Sequence, residues 1–395
     1  MINNYLLDFN NTEIAFGHKS DQELRETYRL FKIMNSPNLV KIGSGFTMLL
    51  NKLKLPVLDP LIKATIFKQF CGGINLLDCQ RTIDRLYKNK TLSILDYGAE
   101  AKDSEKDFDA TLSELIKAVQ FGAANASVPV ISLKISSIAR NELLEKWKGS
   151  QPLEPFEEAE LDKVKKRMHK VVHLASDMGV AVFVDAEESW VQDAMDTLVE
   201  EMMESYNKRK VVVYNTFQMY RKDRLDFLKK SFDRSISRNY YLGAKIVRGA
   251  YMVKEGDRAK VEGHESPVFE TKEGSDESFN QAIEFCVNHY DRISSCNASH
   301  NMQSCMLQAR LIAERSIPKN HSHLNFCQLM GMSDNITFNL ASQGYNVAKY
   351  VVYGPIQEVI PFLIRRAQEN TSITGDVGRE LNLIIQEMKR RRLIK

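Results

Sequence analysis

The chain has 395 residues, enough to bury one large barrel domain with an appendage or two ordinary domains. Its 43% hydrophobic and 27% charged residues are the balance of a globular protein, and a net charge of +3 gives no strong field for nucleic acid. No apolar run approaches the roughly 18 residues of a membrane span, and the N-terminus lacks a basic-then-apolar leader.

The six cysteines (Cys71, Cys79, Cys286, Cys296, Cys305 and Cys327) are scattered without a CxxC pair. That pattern predicts reduced thiols in a cytoplasmic-type compartment rather than a disulfide framework. In chain order, the first ninety residues read as helices with polar loops, including an amphipathic stretch over 21–34 and an apolar one over 61–70. Short apolar, β-rich runs then recur at 93–97, 128–135, 180–185, 211–214, 244–247, 293–299, 323–328 and 347–353. Helix-like segments fall between them at 112–121, 191–206, 224–232, 279–290 and 303–313, with a last one over 357–370. The loop 254–276 reads as polar and Gly-rich. The alternation predicts an α/β fold: a (β/α)8 TIM-type barrel over 91–375, after an N-terminal helical region over 1–90. An open doubly wound sheet fits the same alternation, and counting eight unbroken units favours the barrel. The tail over 376–395 reads as a basic helix whose last part, 383–395, carries Lys389-Arg390-Arg391-Arg392. It suits either a membrane surface or the flank of a barrel.

Barrel enzymes carry their chemistry at the C-terminal ends of the strands. Those ends hold Lys134, Asp185, Tyr214 with Gln218 beyond, Lys245 and Arg248, His300 and Asn301, Gln328, and Tyr350 with Tyr353. A lone strand lysine or tyrosine is ordinarily half-buried; gathered at one rim, these side chains predict an active site. Two motifs read as decoys. Ile42-Gly43-Ser44-Gly45-Phe46 resembles the opening of a dinucleotide fingerprint, yet Met48 stands where its third glycine belongs. His321 and His323 could share a metal, but they lie at the start of the seventh predicted strand, at the face opposite the chemistry. Arg365-Arg366 follows Ile360, Phe362, Leu363 and Ile364, so its helix is largely buried, and Glu369 is spaced to support a guanidinium. Two arginines on a buried helix call for an anion such as a substrate carboxylate.

These stretches together resemble the proline dehydrogenase family. The resemblance rests on Leu133-Lys134, Val184-Asp185-Ala186-Glu187, Thr216-Phe217-Gln218-Met219-Tyr220 and Lys245-Ile246-Val247-Arg248-Gly249-Ala250-Tyr251. It continues through Ser299-His300-Asn301, Gln328-Leu329-Met330-Gly331-Met332 and Tyr350-Val351-Val352-Tyr353-Gly354-Pro355 to Phe362-Leu363-Ile364-Arg365-Arg366-Ala367-Gln368-Glu369-Asn370. It implies non-covalently bound FAD on a barrel rim, with electrons passed to a membrane quinone. It implies that Arg365 and Arg366 grip the carboxylate of L-proline, and that Lys134, Asp185 and Tyr350 wall the pocket. Flavin contacts are implied at Gln218, Lys245, Val247, Arg248, Gly249, Ser299, His300, Asn301 and Glu369, with Glu369 also supporting the arginines. Lysine at 245 matches the eukaryotic-like branch, where bacterial bifunctional relatives typically have arginine. Phe362 replaces a frequent tyrosine, and Met252 stands where those bifunctional relatives have an aromatic. With no aldehyde dehydrogenase module after 395, the chain resembles the single-activity form. The expected reaction is hydride transfer from proline to flavin, giving 1-pyrroline-5-carboxylate, in a cytoplasmic protein that can sit peripherally on the inner face of a membrane. The alternatives are a hydroxyproline dehydrogenase, a metal-dependent barrel hydrolase using Asp185, His300 and His321 with His323, and a non-enzymatic barrel scaffold.

Overall fold

The computed structural model describes residues 7–36, 62–98, 102–149, 151–371 and 376–395, the side chains of 366–371 and 376–377 excepted. The glycine motif at 42–48 lies outside the described residues. Among those described, nine strands form one parallel sheet: β1 (Cys71–Gly73), β2 (Leu92–Tyr97), β3 (Val130–Leu133), β4 (Ala181–Val184), β5 (Val213–Gln218), β6 (Leu242–Val247), β7 (Ile293–Ala298), β8 (Leu324–Leu329) and β9 (Asn346–Tyr353). Their order is β1-β9-β2-β3-β4-β5-β6-β7-β8, with β9 also pairing to β8. Strands β2 to β9 thus close into the expected (β/α)8 barrel, and β1 adds to the flank of β9. Gly72 permits that addition, because a Cβ there would stand 2.4 Å from Cγ1 of Val351.

Parallel strands are covered on both faces, so their polar residues need internal partners. All six residues of β5 are buried. Asn215 Nδ2 donates to Asp196 at 2.8 Å, Thr216 Oγ1 to the Val184 carbonyl at 2.6 Å, and Gln218 Nε2 to the Glu187 carbonyl at 2.6 Å. These polar residues explain why an apolar reading stopped this strand at 214. Four helices escaped that reading: Asn141–Lys148, Pro155–Met178, Met252–Glu262 and Asp334–Ser342. The region 254–276, expected as a loop, is helical at both ends. The helix Met252–Glu262 buries only Glu255 and Ala259, too little apolar surface to leave a period in the sequence.

The chain divides into two compact units, Met1–Gly98 with Gln328–Lys395, and Ala99–Cys327. The first is held by a charged cluster. Lys349, 1% exposed, donates to the Met332 carbonyl and pairs with Asp334 at 2.9 Å; Lys19 and His18 face the same carboxylate at 3.8 and 3.6 Å. Burial pushes the His18 imidazole down to about 3, so it is neutral there. Asp334 is held well below the usual carboxylate range: burial opposes this, but the ammoniums of Lys349 and Lys19 outweigh it. The C-terminal helix Asp376–Arg390 buries Leu383, Ile384 and Met388. Arg390 and Arg391 both donate to the fully buried Glu387, and Arg391 also reaches the carbonyls of Phe16 and Lys19, each at 2.8 Å. Among the described residues no helix is long and apolar enough to cross a membrane.

Removing one partner of a buried ion pair strands the other charge. Asp334→Asn is therefore expected to lower unfolding stability by about 3–5 kcal/mol. Adding Lys349→Met should recover a large part of that loss, as read by urea unfolding. A double variant no more stable than the single one would mean that this pair does not govern the unit.

Candidate active site

The carboxyl ends of β3 and β4 meet in register, with Leu133 paired to Val184. The next residues along, Lys134 and Asp185, therefore sit side by side beyond the ladder, and the Asp185 amide donates to the Leu133 carbonyl at 2.9 Å. Lys134 Nζ stands 3.7 Å from Asp185 Oδ2. Lys245, inside β6, reaches the other carboxylate oxygen, with its ammonium 5.6 Å from the centre of the Phe183 ring. The three side chains are 14%, 16% and 7% exposed in the order Lys134, Asp185, Lys245. Among the described residues, these three groups carry two positive charges and one negative in a largely water-excluded place, an arrangement that favours a further anion.

A second cluster follows β6. Arg248 donates through Nε to Asp276 at 2.6 Å, through Nη1 to Ser299 Oγ at 2.7 Å and through Nη2 to Ser304 Oγ at 2.9 Å. Its guanidinium lies 4.3 Å from the centre of the Phe279 ring. Lys272 shares Asp276, so this cluster also carries one more positive than negative charge. Asn301 caps the helix Met302–Glu314, accepting from the amides of Gln303 and Ser304 at 2.9 and 3.2 Å. Ser299 Oγ accepts from the Asn301 amide at 3.0 Å, and half-buried His300 lies between them in sequence. Val247 is half-buried beside Arg248. Gly249 has φ +142°, and a Cβ there would stand 2.3 Å from the Tyr220 ring, so only glycine fits; its other side is exposed. Ser304 Oγ in turn donates to Asn280 Oδ1 at 2.7 Å; the strand-end rule singles out none of Asp276, Asn280 and Ser304. Only Ser304 left a signal, three residues after the capping Asn301.

Behind Asp185 lies Glu187, which accepts from the amide and hydroxyl of Ser136 at 3.1 and 2.5 Å. Burial pushes its carboxyl up to about 7, against the pull of the Ser136 bonds. Gln218 is buried here, tied to the Glu187 carbonyl.

In the other unit, Tyr350 and Tyr353 are both buried on β9. Residues three apart on a strand face opposite sides. Tyr353 shares its side with Lys349 and Val351, and its ring lies 5.6 Å from that of Tyr97; Tyr350 lies on the reverse side. Gln328 accepts from Thr337 Oγ1 at 2.8 Å. Arg365 is half-buried in the helix Ile356–Thr371, while the side chains of Arg366 and Glu369 lie outside the described residues. Away from these groups, His321 and His323 meet edge to face at 5.4 Å, and His323 Nδ1 bonds the Tyr290 carbonyl at 2.8 Å. Among the described residues, no group of three or more His, Cys, Asp or Glu is placed to hold a metal ion.

A family model described as proline dehydrogenase matches residues 79–379. The proline dehydrogenase 1, mitochondrial, of Dictyostelium discoideum is 32% identical over 434 aligned positions, covering 98% of this chain and 76% of that protein. The hydroxyproline dehydrogenase of Xenopus laevis is 27% identical, covering 95% of this chain and 89% of its own length. Among solved structures, the proline utilization A of Bdellovibrio bacteriovorus inactivated by N-propargylglycine superposes with a TM-score of 0.71 at 21% identity. That match covers 91% of this chain and 38% of the other, and it is a likeness of fold.

The raised carboxyl of Glu187 has a consequence for stability. The folded protein holds this proton up to about pH 7, while the unfolded chain releases it near 4.5. The group's contribution is therefore fully present below about pH 4.5 and lost as pH rises through about 7. Glu187→Gln removes that loss. Its stability relative to wild type should rise by about 3 kcal/mol between pH 4.5 and 7.5, measured by urea unfolding. Parallel curves for the two proteins would show that Glu187 ionises normally.

Proposed function

The chain belongs to the proline dehydrogenase family, and on that premise we propose that it oxidises L-proline to 1-pyrroline-5-carboxylate with bound FAD, handing the electrons to a quinone. The observation that carries this reading is Asp185 held between Lys134 and Lys245 at the strand ends, inside the matched segment. FAD, when bound, would accept the hydride from the proline ring carbon next to nitrogen. The donor set fits such a group: Arg248 and Lys272 exceed Asp276 in charge, and Gly249 presents exposed backbone without a side chain. Arg248, Gly249, Ser299, His300 and Asn301 would hold its phosphates and ribose, with Gln218, Lys245 and Val247 toward the ring system and Glu369 nearby.

Arg365 and Arg366 would take the substrate carboxylate by paired charge-assisted bonds. Lys134, Asp185 and Tyr350 would wall the pocket, and the fixed Asp185 keeps both ammoniums from drifting toward solvent. The quinone brings the protein to a membrane surface, for which the tail offers exposed Lys389, Arg392 and Lys395.

Two outcomes test this reading. Purified protein should show flavin bands in the visible that bleach on anaerobic addition of L-proline. In Arg365→Met those bands should persist, while KM for proline rises by the equivalent of about 2–4 kcal/mol. A colourless protein would end the flavin reading, and unchanged saturation would remove the arginine clamp. The second concerns the ring. A phenol at Tyr350 fills the space that a ring hydroxyl needs, so kcat/KM should favour L-proline over trans-4-hydroxy-L-proline. Tyr350→Ser should narrow that ratio, mainly by weakening proline, within the ~1–3 kcal/mol that apolar filling supplies. An unchanged ratio in Tyr350→Ser, with a changed one in Tyr353→Phe, would reassign the role to Tyr353.

A further inference from the structure

The helix Met252–Glu262 leaves β6 just after Lys245, Arg248 and Gly249, and little apolar contact holds it in place. Met252, Val253 and Val261 are 49%, 77% and 87% exposed, and only Glu255 and Ala259 are buried. Its attachments are polar. Lys254 pairs with Glu188; Arg258 pairs with Glu145 and lies 4.4 Å from the centre of the Trp190 ring. The most enclosed attachment is Glu255, 1% exposed, whose two carboxylate oxygens accept from the Ser189 amide at 2.7 Å and the Ser189 hydroxyl at 2.6 Å. Ser189 opens the helix Ser189–Tyr206, whose own N-cap residue, Glu188, makes no side-chain capping bond. Glu255 thus supplies, from 66 residues away, the acceptor this helix lacks. The helix it caps begins four residues after Asp185. Tyr220 is adjacent: burial, and then the charge of Glu255, hold its phenol well above the ordinary range, and its ring fills the space beneath Gly249.

We infer that Glu255 is a positioning residue, a latch that ties the segment following Lys245 and Gly249 to the segment following Asp185. This rests on the function proposed above. Both rims carry groups assigned to substrate or cofactor, and a strand end is free to shift unless its continuation is anchored. One carboxylate bridging the two continuations keeps Asp185 and Lys245 in a single arrangement, and an apolar contact of similar area would not fix direction in the same way.

The test uses the holoenzyme with Glu255→Ala, Glu255→Gln, Ser189→Ala and the Glu255→Ala, Ser189→Ala double variant. The amide of Glu255→Gln keeps one acceptor for the Ser189 amide, so this variant guards against simple misfolding. In Glu255→Ala, kcat with proline should fall about tenfold with a smaller change in KM. Glu255→Gln should fall less, and the double variant no further than Glu255→Ala alone. Independently of turnover, amide hydrogen exchange should rise over both 185–189 and 252–262 in Glu255→Ala. Unchanged exchange at 185–189, an unchanged kcat, or effects that multiply in the double variant would each overturn the latch. If wild type neither holds flavin nor oxidises proline, the proposed function fails, and the exchange measurement alone decides whether Glu255 joins the two segments.

Discussion

Everything at the candidate site depends on one carboxylate serving two ammoniums. Asp185 meets Lys134 because the β3–β4 register ends with Leu133 opposite Val184, so the next residue of each strand projects past the ladder at the same height. Lys245 reaches the same carboxylate from β6. Each lysine would be costly to bury alone, and one shared counter-charge brings the cost within reach without neutralising the pair. The positive charge of this cluster is the feature a carboxylate group can use. Water is already largely excluded there, so the attraction is stronger than it would be on an open surface.

The same chemistry occurs in the other compact unit with the opposite purpose. Lys349 is also a strand lysine paired with an aspartate, but it is 1% exposed, and the Met332 carbonyl takes another of its donors. Three basic groups converge on Asp334, and the cluster joins β9 to residues 18–19 and to the start of the helix Asp334–Ser342. Lys134 keeps 14% of its side chain open. That difference separates a lysine that holds a fold from one that can meet a ligand. Hydropathy is blind to it, because each is one charged residue within or beside an apolar run.

Legibility in the sequence followed the same divide. Strands whose cores are valine, isoleucine and phenylalanine, such as β4 and β9, stood within a residue or two of their expected bounds. β5 ended four residues early in the sequence reading, since Asn215, Thr216 and Gln218 are polar residues whose partners come from β4, the segment following it and Asp196 on the next helix. The strand-end rule brought Lys134, Asp185 and Lys245 to notice, but not the shared carboxylate, which depends on register. Asp276 and Ser304 stayed hidden because they act through Arg248, 28 and 56 residues away in sequence. The helix Met252–Glu262 stayed hidden because polar bonds hold it, and periodicity reports only apolar burial.

Gly249 shows how far a single glycine can be taken as a sign of ligand. Its positive φ and the missing Cβ are demanded by the Tyr220 ring, which lies where any side chain would begin. Internal packing alone therefore accounts for glycine at this position. What the packing leaves open is the other side: with Tyr220 beneath it, the backbone at 249 has an exposed face. Arg248 just before it is turned away toward Asp276, Ser299 and Ser304, so its charge does not crowd that face but lies beside it. An exposed turn of backbone beside a cluster of two cations on one carboxylate can receive an anionic ligand. The residue whose ring forces the glycine also donates its amide to the Arg248 carbonyl at 2.7 Å, so the residue that explains Gly249 structurally also anchors the turn from beneath.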